Sequence, residues 1–466
     1  MRAASHEHIE QSEHVAGKLP ALPGTAKRRR VDAVLHMLTG GIILGGCIWF
    51  GWVRHNEMFS APIRFGGLAA GLGLAGLWLW PGLETLLQWS RAFCLCFLSL
   101  LFTICGLEFG FRAIKFDFTR QEANWHRLPP FERQPMVPCG TVFFRRAGPE
   151  QWNGQVLNRI LRELHISPNP YRDEPKISVT YNQLGFRNPE GLTDWEIAVA
   201  GDSFTEAGCL PAEQLFTSIL GQTLGARVAN FGTSYTGPLT QLDYLKEYGL
   251  APSTRRTVIV FFEGNDLRDL QEECAALREF ERTGERPYRK FYPQTSMLRT
   301  VYRLIRDRNK PEEPRSPVVT AFFKSSHGAV PITLNYAPPG RSQIPADGIE
   351  RIEQFLSQYA KFGKERRVET WLAFMPCKER VVYGMIDLAT NAPERFRQWQ
   401  PSDLPALMCE LADAHEIHFV DLTTALRSET EQKKELVFNS IYDTHLTARG
   451  SQLVGEELGR RLGSGQ

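Results

Sequence analysis

Trp195-Glu196-Ile197-Ala198-Val199-Ala200-Gly201-Asp202-Ser203-Phe204-Thr205-Glu206 decides how the second half of this 466-residue chain is read. Glu196 to Ala200 is a short apolar run, the length of a strand and too short for a helix. Gly201 allows a tight turn, which leaves Ser203 at the start of a helix with its backbone N–H facing a cleft. The pattern recurs along the chain. Arg227 to Phe231 reads as a second strand closed by Gly232, and Thr257 to Phe262 as a third ending at Gly264-Asn265-Asp266. Val368 to Phe374 and Ile417 to Val420 read as two more. Pro211 to Leu220, Pro238 to Tyr248, Ile349 to Phe362, Asp403 to His415 and Ala448 to Leu462 read as the helices between and after them. Such alternation predicts an α/β fold, a three-layer doubly wound parallel sheet covered on both faces. Sites in these sheets form at the carboxyl ends of the strands. Ser203, Gly232 and Asn265 fall there.

A serine hydroxyl is a weak nucleophile near neutral pH and needs a base, an orienting group for the base and donors for an oxyanion. Tyr442-Asp443-Thr444-His445-Leu446-Thr447 supplies His445 as the base and Asp443 as its orienting carboxylate, in a loop leading to the last helix. Thr447 is placed to cap that helix. Gly232 offers a bare backbone N–H and Asn265 a side-chain amide. Asp266 is expected to hold its loop or cap the next helix. No CxxC or Cys/His spacing suggests zinc, and no cofactor is implied.

Taken together, Gly201-Asp202-Ser203, Gly232, Asn265 and His445 occur in the order of the four blocks that name the SGNH hydrolases, also called GDSL esterases. The chain resembles that family from about Val179 to the end. The resemblance includes Tyr181-Asn182-Gln183-Leu184-Gly185-Phe186-Arg187 and Met375-Pro376-Cys377-Lys378-Glu379, which look like stretches of a bacterial subgroup. It implies that Ser203 is the nucleophile, that His445 and Asp443 complete a triad, and that Ser203, Gly232 and Asn265 form the oxyanion hole. Two positions depart from the pattern. Glu263 stands where the third block commonly has Gly, and Asp-Thr-His is one residue shorter than the common Asp-x-x-His. The shorter spacing also occurs in relatives that acetylate exopolysaccharides such as alginate.

The first part of the chain reads differently. Ala33 to Val53, Phe65 to Leu83 and Ala92 to Leu107 contain no Asp, Glu, Lys or Arg. A bilayer core takes about 20 apolar residues in a helix, so three N-terminal transmembrane helices are expected, with membrane contact over residues 33–111. Glu108 and Arg112 are spaced to pair on one helical face. Trp49, Trp52, Trp78, Trp80 and Trp89 cluster near the ends of the runs, as interfacial aromatics do. Lys27, Arg28, Arg29 and Arg30 place the N-terminus in the cytoplasm, and three crossings then put the catalytic domain outside it, in the periplasm if the membrane is the inner one. The expected organisation is a tail (1–30), three membrane helices (31–114), an accessory linker (115–178) and an SGNH-like domain (179–466) with an insertion at about 267–345. Within the insertion, Leu298, Tyr302 and Ile305 share a helical face expected to pack on the domain.

Lys plus Arg total 54 against 52 for Asp plus Glu, a balance that gives no sign of a nucleic-acid partner. Five of the nine cysteines follow the apolar runs and permit at most two disulfides. The function expected is a membrane-anchored serine esterase removing acyl groups, acetyl first among them, from an envelope glycan or lipid. An O-acyltransferase drawing on a membrane-bound acyl-donor protein, or a non-catalytic glycan-binding module, are the alternatives.

Overall fold

The computed structural model of the protein describes residues 84–114, 130–132, 137–140, 143–154, 177–284, 296–308, 319–441 and 444–464, with isolated positions between 31 and 42 and at 116 and 118. The chain divides into two units, Met1–Lys115 and Phe116–Gln466.

In the first unit, helix α1 (Glu84–Ala113) carries the third apolar run. Its stretch Arg91–Ala113 has 23 residues and mean hydropathy 2.1, long and apolar enough to cross a membrane. Only 6% of its most apolar window is buried. Phe102 and Phe109 are the most exposed large apolar side chains among the described residues. Arg112 Nε donates to Glu108 Oε1 at 2.7 Å, so the expected pair forms. The first two apolar runs lie outside the described residues, save for helical positions such as Val34 and Leu38.

The second unit begins with two antiparallel pairs, β1 (Val137–Cys139) with β2 (Phe143–Arg145), and β3 (Glu150–Gly154) with β4 (Ile177–Tyr181). The α/β core follows as β5 (Ile197–Gly201), α2 (Ser203–Glu206), α3 (Phe216–Leu224), β6 (Val228–Gly232), α4 (Pro238–Glu247), β7 (Arg256–Phe262) and α5 (Asp266–Thr283). Then come α6 (Met297–Arg308), β8 (Ala321–Ser325), β9 (Gly328–Ile332), α7 (Ala346–Arg366), β10 (Glu369–Met375) and α8 (Lys378–Val382). The remaining elements are β11 (Ile386–Leu388), α9 (Glu394–Gln398), α10 (Leu404–Ala414), β12 (His418–Asp421), α11 (Thr423–Lys433) and α12 (Ala448–Ser464).

The central sheet has the order β6-β5-β7-β10-β12, and every pairing is parallel. In chain order this is 2-1-3-4-5, the second doubly wound arrangement, with its switch point between β5 and β7. Side-chain alternation explains the two cores. Ala198, Ala200, Ile259 and Phe261 face a layer holding Leu242 of α4, Leu270 of α5, Phe355 of α7 and Leu407 of α10. Ile197, Val199, Val258 and Val260 face Phe216 of α3, Leu426 of α11 and Val454 of α12. Both faces being covered, the strands read as largely apolar runs. A separate antiparallel sheet, β11-β8-β9, lies outside this layer system.

Three local expectations change. The helix expected over Pro211–Leu220 is a short 3-10 turn (Ala212–Gln214) followed by α3, because Leu215 between them is extended. Its side chain is buried with Ala207, Cys209 and Leu210, which breaks the run. The region expected as an insertion from residue 267 opens with α5, whose Leu270 and Ala276 belong to the core; α5 is the crossover helix after β7. In α6 the face expected to pack is only partly covered: Leu298 and Ile305 are exposed and Tyr302 is half-buried, while Thr300 is buried. No disulfide joins Cys139, Cys209, Cys274, Cys377 or Cys409.

The accessory segment is tied in by one buried side chain. Arg146, just after β2, forms an ion pair with Glu206 at the end of α2 through both Nε and Nη2. Its Nη1 and Nη2 also donate to the Pro130 and Phe131 carbonyls, at 2.5 and 3.0 Å. Both side chains are almost fully buried. Removing one partner of such a pair strands the other's charge, at a cost of about 3–5 kcal/mol. Arg146→Met should therefore lower the urea-unfolding free energy by roughly that amount. Adding Glu206→Gln should recover part of the loss, since no bare charge then remains. Equal stability of the single and double variants would show that the stranded charge is not the cause.

Candidate active site

Ser203 sits where the sequence placed it. β5 ends at Gly201, Asp202 caps the next turn by accepting from Phe204 N at 2.9 Å, and Ser203 is the first residue of α2. Gly201 is required: a Cβ there would lie 2.1 Å from Thr205 Oγ1.

His445 approaches this turn from the far end of the chain. Its ring lies 4.9 Å from the Phe204 ring, centroid to centroid, and its charge acts on Asp202. The loop carrying it is closed by backbone pairing: Asn439 N donates to His445 O at 2.9 Å, and Thr447 N to Val437 O at 3.0 Å. Thr447 Oγ1 accepts from Gly450 N at 3.2 Å, the expected cap of α12. Lys378 adds a second clamp. Its buried Nζ donates to the Thr333 and Ser440 carbonyls, both at 3.2 Å, joining the His445 loop to the strand end after β9. Asp443 lies outside the described residues.

Asn265 precedes α5, and its Nδ2 donates to Asp269 Oδ2 at 2.5 Å, while its amide also acts on the Asp202 carboxyl. Asp266 holds the loop as expected, accepting from Phe262 N at 2.8 Å. Glu263, the departure from the family pattern, is a buried strut. It accepts from Arg380 Nε and Nη2 at 2.7 and 2.5 Å, and from Cys377 N at 3.0 Å. It thereby joins the ends of β7 and β10, a job for which glycine has no side chain.

Gly232 corrects an expectation. Its N–H is not bare but donates to Asn230 Oδ1 at 2.8 Å, because that side chain folds back over the strand end. Asn230 Nδ2 meanwhile donates to Thr205 O at 2.8 Å. What position 232 requires is the absence of a side chain: a Cβ would stand 2.2 Å from Glu206 N, a backbone atom of α2. Three residues on, Tyr235 has φ +68 and is 53% exposed. A non-glycine residue in that region is strained, and such strain gathers at functional sites. Sequence reading gave no signal for Tyr235 or Arg146, and it marked the stretch holding Lys378 without a role for it, since its partners are remote in the chain.

Two carboxylates of one turn are driven apart. Burial pushes the Asp202 carboxyl up to about 7, against the pull of the Phe204 N–H and His445. Glu206 is equally buried, yet the Arg146 guanidinium and the hydroxyls of Ser234 and Tyr181 hold it below the usual range. Asp266 and Asp269 are also raised, chiefly by burial, with neighbouring carboxylates adding to it. An acid whose folded-state pKa exceeds its unfolded value of about 3.9 favours folding below that value. The contribution of Asp202 is lost as pH rises from there to about 7. Asp202→Asn keeps an acceptor for Phe204 N–H and removes the titration. By calorimetry its Tm should exceed that of the parent near pH 8, with the gap closing towards pH 5. A gap independent of pH would refute this origin.

No family model and no curated protein matches the chain. Among solved structures it is similar to a putative lipolytic protein of the G-D-S-L family from Desulfitobacterium hafniense. Identity is 15%, coverage 57% of this chain and 98% of that one, and TM-score 0.30. It is similar to a carbohydrate acetylesterase from Sinorhizobium meliloti at 12% identity, with 58% and 99% covered and TM-score 0.29. A mutant acetyl-xylooligosaccharide esterase from Geobacillus Stearmophilus gives 13%, 57% and 93%, and TM-score 0.29. The fold assignment rests on the strand order and the site on its own side-chain geometry; the solved structures that the chain is similar to are esterases and lipases.

Proposed function

We propose that the chain is a serine esterase acting on O-acyl, chiefly O-acetyl, esters of an envelope glycan, held at a membrane by its apolar N-terminal part with the α/β unit on the extracytoplasmic side. One observation carries the reading: Ser203 opens a helix at the sheet's switch point, with His445 packed against the adjacent Phe204 ring and Asn265 beside Asp202. The membrane-length helix Arg91–Ala113 supports the anchor, and the basic cluster Lys27–Arg30 supports the orientation.

Ser203 Oγ attacks the acyl carbonyl carbon while His445 accepts the hydroxyl proton. The carbonyl oxygen takes up the negative charge, and the Ser203 N–H and the Asn265 amide donate to it. Collapse expels the sugar alkoxide, which takes the proton from the imidazolium and leaves as the alcohol. Water, deprotonated by His445, then attacks the acyl-serine, releasing acetate and restoring Ser203. Asp443 holds the imidazole in the productive tautomer. Gly232 N–H joins as a donor when Asn230 Oδ1 lets it go.

With a chromogenic acetyl ester, Ser203→Ala should abolish turnover; an unchanged rate overturns the assignment. Asn265→Ala should cost about 10²–10³ in kcat, and a loss below about tenfold would leave it a structural residue. Supplying an oligosaccharide acceptor with the acyl donor tests transfer, for which the same residues serve. Acetylated glycan as the main product would replace hydrolysis with O-acyl transfer.

A further inference from the structure

A cavity of about 260 Å³ opens where β7 gives way to α5, with Gly264 and Leu267 on either side of Asn265 in its lining. Its apolar surface includes Pro338 and Pro339, and the Pro338 carbonyl is fixed by Trp399 Nε1 at 2.9 Å. Pockets for whole drug-sized ligands run to about 300–1,000 Å³, so this one suits a single unit of a longer molecule.

Three charged side chains line it: Glu263, Arg268 and Arg351. Glu263 is neutralised by Arg380, as described above. Two guanidiniums remain, each with a carboxylate partner. Arg351 Nη1 pairs with Asp347 Oδ2 at 2.6 Å one turn away, but that carboxylate is 66% exposed, and a pair with an exposed partner contributes little. Arg268, 67% exposed, meets Asp269 Oδ1 at 3.1 Å and Glu272 Oε1 at 3.9 Å, and Asp269 is only 17% exposed, so Arg351 is the readier donor of the two. Asp347 stays hydrated when it lets go, so an incoming oxyanion can take the Arg351 donors without stranding a charge. The planar guanidinium matches carboxylate and phosphate in a two-pronged fashion that an ammonium cannot. Gln271 and Gln343 add amide groups for hydroxyls.

We propose that this cavity binds an oxyanion group, a carboxylate or a phosphate, on a sugar unit of the same glycan chain as the ester that Ser203 attacks. The purpose of the site rests on the esterase reading; its anion chemistry rests on Arg268 and Arg351. Occupancy beside Asn265 would set the register of the chain and choose which acyl group reaches Ser203.

The test is calorimetric titration of the full chain in detergent micelles with unacylated oligosaccharides: neutral, carboxylated and phosphorylated. The anionic chains should bind at least about tenfold tighter than the neutral one, in proportion to one lost charge-assisted contact, and the tighter of the two names the source of the oxyanion. Arg351→Gln should weaken anionic binding by about tenfold. Asp347→Asn removes the competing carboxylate and should tighten it, so the two variants move in opposite directions. Equal binding of neutral and anionic chains, or an affinity indifferent to both substitutions, overturns the proposal. Binding needs no turnover. If the chain hydrolyses neither acetylated form, the esterase reading fails and the titration still decides the anion site.

Discussion

Glu206 sits at the end of the turn that presents Ser203, has no exposed surface, and is surrounded by donors. Arg146 reaches it from the accessory segment, Tyr181 OH from β4 at 2.6 Å, and Ser234 from the loop after β6 through both N and Oγ, at 2.5 and 2.6 Å. Three elements that precede or flank the sheet thus converge on one carboxylate. A buried charge is tolerable only when fully paired, so the constraint runs outwards. The turn can hold its shape only if the segments on either side are docked. Arg187 extends the same logic by donating to the Glu206, Ala207 and Leu210 carbonyls at 3.1, 2.5 and 2.8 Å. These satisfy the carboxyl end of α2, where Ala207 closes the helix at φ +42.

The site itself is built the opposite way. Asp202, Asp266 and Asp269 are gathered around the Ser203 turn with their carboxyls raised by burial. Placing Ser203, the proposed nucleophile, between a fully paired carboxylate and a group of carboxyls raised by burial would separate support from chemistry. The Glu206 side carries rigidity, and the Asp202 side faces His445. Divergent environments for neighbouring acids are what a fold uses to assign different roles to one side-chain type.

Much of this was legible in the sequence because it is local. The five strands end within a residue or two of where the apolar runs end, since a strand covered on both faces is mostly apolar along its length. Ser203, Asn265 and His445 were marked by their place after a strand or before the last helix. The misses share a different cause. Arg146 and Glu206 are 60 residues apart, and Lys378 and Ser440 are 62 apart; no periodicity encodes such pairs. That the Gly232 N–H is already engaged could not be read either, because a glycine that admits a neighbouring backbone and one that offers an N–H look alike in sequence. Only the position of the Asn230 side chain separates them. That the α6 face is only partly covered could not be read, because an apolar stripe says which residues share a side, not what covers them.

Both auxiliary donors of the proposed oxyanion hole are occupied in the resting site: Gly232 N–H by Asn230 Oδ1, and Asn265 Nδ2 by Asp269 Oδ2. Such donors stabilise a transition state only by the difference between the developing oxyanion and the acceptor it displaces. The two acceptors differ in kind. Asn230 Oδ1 is a neutral amide oxygen, which an alkoxide outcompetes. Asp269 is a carboxyl whose pKa is raised by burial, and in its protonated form it accepts more weakly than a carboxylate. Burial around Asp269 therefore does more than tax stability. By disfavouring the charge that would hold Asn265 back, it lowers the cost of turning the amide towards the substrate.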